Sequence, residues 1–469
     1  MIRIDDVTFH YSAGILLGTT ESGIEHASLT CAPGTVTLLT GPSGSGKSTL
    51  IKLMNGLAPH FNEGELTGLI DVAGYNPSEH PLHESIKHSA TVFQNPRTQF
   101  FTDQVSTELA FGLENLGTPP EQISKRMAEV AAETAIEPWV HRMLRTLSGG
   151  QLQRVAYATA LMPDTDVVLF DEPTSNLSED GMNMLRDNVA QLKAAGRTIV
   201  IAEHRLHVFR ELADQVIYVR GGTIVATYAA ADFFQMDDET RRRLGLRQLT
   251  APTPVELPPA ATPGLEIENL RYSVNGTRIL NIAHMLFPAG KVTALVGQNG
   301  VGKTTLARVL CGLEQPEPGA TIALRGSKLS ARQRIANSYI VMQDVGRQLF
   351  AESVESEVTL GVRNKVDTAA ILAAFDLDTL RDRHPHSLSG GQRQRLVMAS
   401  AMAQRKQVYI FDEPTSGVGI EHLEAIAQQF KQLARSGAVV IVITHDHELV
   451  AACADHRQEL LPQEAHTND

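Results

Sequence analysis

The chain has 469 residues, 42% of them apolar and 20% charged, which is a globular composition long enough for two or three cores. A formal net charge of -12 speaks against the broadly basic surface that nucleic acid requires. Cys31, Cys311 and Cys453 fit no metal spacing and are expected as buried free thiols of a reducing compartment. The opening MIRIDDVTFHY lacks the apolar core of a signal peptide, and no window reaches the ~18 apolar residues of a membrane helix. Any work at a membrane is therefore expected to pass through a partner.

Taken in chain order, the first candidate is Tyr11 at the end of VTFHY, placed either to stack on a nucleotide base or to pack in a core. The β-branched run VTLL (36–39) then leads into GPSGSGKST. Here Gly41, Pro42, Ser43, Gly44, Ser45, Gly46, Lys47, Ser48 and Thr49 spell a P-loop. Its glycines let backbone N–H groups curl around phosphates, Lys47 reaches the β- and γ-phosphates, and Ser48 ligates Mg2+. QNPRTQFFTDQV follows at 94–105. LSGGQ comes next, with Ser148, Gly149, Gly150 and Gln151 opening a long helix, again a phosphate-binding N-terminus without bulky side chains. The strand DVVLF (166–170) ends in Asp171, expected to hold Mg2+, and Glu172, expected to orient the attacking water. His204 follows the apolar strand TIVIA (198–202) and is expected at the γ-phosphate.

The stretch TAPTPVELPPAATPG, residues 250–264, holds five prolines and reads as a stiff linker. Just before it, TRRRLGLR (240–247) reads as a helix end with solvent-facing arginines rather than a phosphate patch. Beyond the linker the same series returns. Tyr272 ends ENLRY, VTALV precedes GQNGVGKTT, and Gly297, Gln298, Asn299, Gly300, Val301, Gly302, Lys303, Thr304 and Thr305 form the second P-loop. QDVGRQLFAESV echoes the glutamine stretch, with Gln343, Gln348, Phe350 and Val354 matching Gln94, Gln99, Phe101 and Val105. Ser389, Gly390, Gly391 and Gln392 repeat the helix start, Asp412 and Glu413 the acids, and His445 the histidine. From LSGGQ onward the offset is 241 residues, and the first copy carries 15 more residues between Lys47 and that motif. Strands buried on both faces, alternating with helices, make the fold class α/β, with domains at 1–240 and 262–469 joined by a linker at 241–261.

In this order, P-loop, glutamine stretch, LSGGQ, DEPTS and histidine resemble the ATPase domain of ABC transporters, twice over nearly the whole chain. The resemblance implies two domains, each a mainly parallel sheet with an antiparallel β part and a helical arm bearing LSGGQ. It implies an intramolecular dimer sandwiching two ATPs, with Lys47, Glu172 and His204 sharing one site with Ser389 to Gln392. Lys303, Glu413 and His445 would share the other with Ser148 to Gln151, and Gln94 and Gln343 would reach Mg2+ and the attacking water. One departure stands out. Where the family carries an acid after DEPTS, this chain has Ser178 and Gly419, so communication between the sites is in question although both glutamates remain.

The wording Q-N-P-x-x-Q-F-F-x-D-x-V-x-x-E-L-A-F-G-x-E-N is similar to the energy-coupling-factor ATPases, which drive import of vitamins, vitamin precursors, cobalt or nickel. By that resemblance the partners are a transmembrane scaffold and a small substrate-capturing membrane protein. The chain would sit peripherally on the cytoplasmic face, with no nucleic acid bound. Phe100, Phe101 and Glu108, and Leu349, Phe350, Glu355 and Glu357, are expected to border grooves with apolar floors and acidic rims, suited to an amphipathic helix bearing arginine. A soluble tandem ATPase acting on ribosomes or nucleic acid, or the fused ATPase of another importer class, remains the alternative.

Overall fold

The computed structural model of the chain describes residues 1–12, 23–94, 99–175, 177–253, 257, 263–343, 345–362, 365–388, 390–415 and 417–461. Within these, the chain divides into two compact units, one running to Ala251 and the other starting at Pro252. The doubly apolar runs read in the sequence form strands buried along their whole length, because both faces are covered by helices or by a second sheet.

In the first unit Val36–Thr40 is central, flanked by Thr198–Ala202 and Gln215–Arg220. Val167–Asp171 and Ser89–Val92 extend the sheet on one side, all in parallel, and Thr223–Ala229 closes the other edge antiparallel. The second unit orders its strands Ser338–Val341, Val408–Asp412, Val439–Ile443, Lys291–Val296 and His456–Glu459, all parallel. An antiparallel sheet joins each unit: Ile2–Tyr11 between Ile24–Cys31 and Gly64–Val72 in one, and Gly264–Val274 between Thr277–Pro288 and Thr321–Leu324 in the other.

Each unit also carries helices ahead of its LSGGQ helix. In the first these are Val105–Asn115 and Pro120–Glu133, of 11 and 14 residues; in the second, Val354–Thr359 and Thr368–Ala374, of 6 and 7. Part of the first copy's extra length therefore lies in a larger helical arm. All three cysteines are buried, and burial pushes the Cys31 thiol up to about 11. No described helix is long and apolar enough to cross a membrane.

The structure moves one boundary. Residues 241–251, expected in the linker, pack into the first unit: Leu246 and Leu249 are buried, and Tyr218 Oη donates to Leu244 O at 2.7 Å. Nor do the arginines here all face water. Arg241 is buried, paired with Asp238 at 2.6 Å, and Arg247 is buried too. An apolar Leu-x-x-Leu spacing that spans Arg247, at Leu246 and Leu249, is the signal that a charge-based reading passes over.

Candidate functional site

In each unit the motifs come from the carboxyl ends of neighbouring parallel strands, where open α/β sheets bind their ligands. Thr40 and Val296 run into the P-loops, Ala202 and Ile443 end the adjacent strands and precede the histidines, and Asp171 and Asp412 end the next strands out. Val92 and Val341 lead to Gln94 and Gln343.

The P-loop glycines are required by close approach. A Cβ on Gly41, whose φ is 147°, would lie 1.9 Å from Val219 O, and one on Gly297 2.4 Å from Leu460 O. Gly46 and Gly302, at φ 107° and 104°, turn the chain into the helices Lys47–Met54 and Lys303–Leu310. Lys47 Nζ folds back to donate to Gly41 O at 3.1 Å and Pro42 O at 3.0 Å. Lys303 Nζ does the same to Gly297 O at 2.6 Å and Gln298 O at 3.0 Å. Burial holds both lysines below their usual range. Ser48 Oγ donates to Asp171 Oδ1 at 2.8 Å, and Thr304 Oγ1 to Asp412 Oδ2 at 2.7 Å.

Among the described residues no cluster of three or more His, Cys, Asp or Glu could hold a metal ion alone. A hydroxyl paired with one carboxylate does fit Mg2+, which keeps several waters and takes phosphate oxygens as ligands. The loop itself also fits a triphosphate. A Cβ on Gly44 or Gly300 would meet nothing within 4 Å, and the Ser45 hydroxyl is buried there without a hydrogen-bond partner.

Glu172 and Glu413 occupy left-handed backbone, at φ 46° and 49°, which costs of order 1 kcal/mol for a non-glycine residue. Their amides pin that geometry by donating to Ala202 O and Ile443 O, each at 2.9 Å. Gln94 Nε2 donates to Glu172 Oε2 at 2.7 Å, and His204 Nε2 stands 3.6 Å from Glu172 Oε1. In the second unit His445 Nε2 is 3.8 Å from Glu413 Oε1 and 3.1 Å from Lys303 Nζ. Burial, with Asp171 alongside, pushes the Glu172 carboxyl up to about 8 against the opposing pull of Lys47. Burial likewise raises Asp412, opposed by the Thr304 hydrogen bond and Lys303. Gln343 is exposed at the equivalent end of its strand.

Ser148 caps the helix Gly149–Leu161 through a reciprocal pair with Gln151: Ser148 N donates to Gln151 Oε1 at 2.9 Å, and Gln151 N to Ser148 Oγ at 3.4 Å. A Cβ on Gly149, Gly390 or Gly391 would meet nothing within 4 Å, so these helix starts are unobstructed within their own units. Ser389 lies outside the described residues. Ser178 caps the helix Glu179–Ala194 by accepting from Gly181 N, while Gly419 caps Ile420–Arg435 with no side chain to offer. Tyr11 and Tyr272 are half-buried against the antiparallel-sheet cores. Tyr11 Oη lies 3.0 Å from Thr49 Oγ1 on the P-loop helix, whereas Tyr272 Oη donates to Glu314 Oε2 at 3.0 Å.

The glutamine stretches are braced at both ends. Phe93 N donates to Gln99 Oε1 at 3.3 Å and Met342 N to Gln348 Oε1 at 2.7 Å, so the recurring second glutamine ties the backbone just before Gln94 and Gln343. Glu108, 2% exposed, accepts from Phe101 N at 3.0 Å, Thr102 N at 2.8 Å and Thr102 Oγ1 at 2.9 Å. Glu357, 5% exposed, accepts from Phe350 N at 2.8 Å and Ala351 N at 2.7 Å. The expected acidic rim is thus corrected: a buried carboxylate surrounded by donors is a backbone clamp, not a surface charge. Glu355 is already paired with Arg381 at 3.2 Å. Phe100 packs on the core and Leu349 is buried, whereas Phe101 and Phe350 stand out at 77% and 78% exposure.

Two stretches of the chain, residues 24–175 and 280–416, match the protein-family model described as ABC transporter. A protein of Treponema denticola named as an ABC transporter ATP-binding protein is 38% identical over 96% of this chain and 93% of its own length. One of the same name from Methanosarcina mazei is 31% identical over 97% of this chain and 86% of its own. A chain from the structure of ribosome-bound archaeal Pelota and ABCE1 has the same fold, with a TM-score of 0.67. It covers 97% of this chain and 78% of that one at 20% identity.

Proposed function

Because the chain belongs to the ABC transporter family of ATP-binding proteins, we propose that it hydrolyses ATP at two centres to energise a membrane importer of the energy-coupling type. The cargo would be a vitamin, a vitamin precursor or a transition-metal ion. Each centre would draw its P-loop, acids, glutamine and histidine from one unit and LSGGQ from the other.

The residues divide the work as phosphoryl transfer to water demands, by positioning and charge neutralisation. Lys47 and Lys303 give up their loop carbonyls for phosphate oxygens. Ser48 with Asp171, and Thr304 with Asp412, would hold Mg2+, which supplies neutralisation of charge on the β- and γ-phosphates. Glu172 and Glu413 orient the attacking water, with Gln94 and Gln343 alongside. His204 and His445 donate toward the γ-phosphate.

The observation that carries the transport reading is the pair Phe101 and Phe350. Each is largely exposed, on the loop that begins with a glutamine of the centre. Covering a phenylalanine is worth about 1.5–3 kcal/mol, so two equivalent exposed rings suit docking better than solvent. Movement of an attached membrane helix would be transmitted along this braced loop; in the first unit Gln94 already touches Glu172. The test is co-purification of tagged chain from detergent-solubilised membranes. The reading expects a polytopic scaffold and a small membrane protein with the native chain, and neither with the Phe101→Asp/Phe350→Asp variant. Ribosomal proteins in their place would overturn it.

A further inference from the structure

The two units anchor their histidine loops with acids on opposite sides of the histidine. The first reads Glu203-His204-Arg205 and the second Thr444-His445-Asp446, at the constant offset of 241 residues. Glu203 is 3% exposed. One of its oxygens accepts from Thr174 N at 3.1 Å and from the Thr174 hydroxyl, the other from His204 N at 2.5 Å and Arg205 N at 3.0 Å. Asp446, also 3% exposed, takes the equivalent hydroxyl, Thr415 Oγ1, at 2.8 Å on Oδ2, and caps the next helix by accepting from Glu448 N at 3.2 Å and Leu449 N at 3.3 Å on Oδ1. Both threonines lie two residues beyond the glutamate in left-handed backbone.

We infer that Glu203 and Asp446 are positioning residues that lock each histidine loop onto the turn carrying Glu172 or Glu413. The role rests on the proposed hydrolytic function of those glutamates. A buried carboxylate accepting four hydrogen bonds from two separate strand ends fixes their separation, and with it the 3.6 Å approach of His204 to Glu172. Arg205 adds to the first clamp, its Nη1 lying 3.5 Å from Thr174 O. In the second unit the place of Glu203 is taken by Thr444, whose hydroxyl lies 3.3 Å from Glu413 Oε2. Two different chemical solutions therefore hold the same pair of groups, and one should be able to replace the other.

The test transplants the second arrangement into the first unit of the full-length chain, in a Glu413→Gln background whose residual phosphate release reports the first centre. Glu203→Thr alone should lower kcat by about tenfold or more while KM for ATP stays within about threefold, the split expected when positioning is lost but binding is not. Adding Arg205→Asp should restore kcat to within about threefold of the background, a rescue that general damage to the fold would not show. Should Glu203→Thr fail to fold, Glu203→Gln serves in its place. Its amide keeps one acceptor oxygen but turns N–H groups toward donors, so an intermediate kcat is expected. An unchanged kcat in either single variant, or no recovery in the double variant, overturns the inference. Persistent turnover in Glu172→Gln/Glu413→Gln is a separate result that would sink the proposed function itself.

Discussion

Replacing Glu108 by alanine removes the acceptor of three hydrogen bonds at once and leaves the part-buried amides of Phe101 and Thr102 without it. A hydrogen bond to a charged group contributes about 1.5–3 kcal/mol, part of which water entering the cavity recovers. A local cost of about 3 kcal/mol follows, which converts to roughly a hundredfold more opening of the loop. Hydrogen exchange read by mass spectrometry at peptides spanning Phe101 and Thr102 measures it directly, since local opening governs exchange there. Glu357→Ala should do the same at Phe350 and Ala351, which lose two bonds. Glu108→Gln, keeping an acceptor oxygen of the same reach, should fall between. Exchange in Glu108→Ala within about twofold of the native chain would refute the clamp and return Glu108 to the role of a surface acid.

Three further outcomes are expected. The raised Glu172 carboxyl takes up a proton on folding of the nucleotide-free chain, so its contribution to stability falls as pH climbs from the ordinary 4.5 through about 8. Relative to Glu172→Gln, which cannot ionise, the native chain should therefore lose thermal midpoint across that window and level off above it. A constant difference in midpoint would contradict the assigned burial. Ser48→Ala and Thr304→Ala should raise the Mg2+ concentration needed for half-maximal turnover, in a magnesium titration, while unfolding midpoints stay near the native value. Phe101→Asp with Phe350→Asp should weaken association with the membrane partner by about thirtyfold or more, the effect of losing a buried aromatic anchor, and leave ATP turnover of the isolated chain intact.

Residues whose chemistry depends on spacing were legible in the sequence. Both P-loops, both acid pairs and both histidines follow strands marked by unbroken β-branched runs, and the observed strands start and end within a residue or so of those runs. Residues whose role depends on where a side chain turns were not. Glu108 and Glu357 follow the exposed phenylalanines by seven positions, a spacing that a loop and a first helical turn convert into a buried clamp. Read as charges they belong on the surface. Glu203 and Asp446 escaped because the repeat does not align them: the acid moves from one side of the histidine to the other, so comparison of the copies hides the shared contact to Thr174 and Thr415. Gln99 and Gln348 did recur in register, but recurrence alone could not tell a brace from a contact surface.

On the proposed function, each unit contributes a glutamate without which ATP is bound but not cleaved. The direct measurement is steady-state phosphate release by the purified full-length chain with Mg2+ and ATP, alongside nucleotide binding, for Glu172→Gln, Glu413→Gln and the double variant. Each single variant should slow release severely, the double variant should fall to background, and all three should bind nucleotide as the native chain does. Native turnover in the double variant would contradict the proposed function.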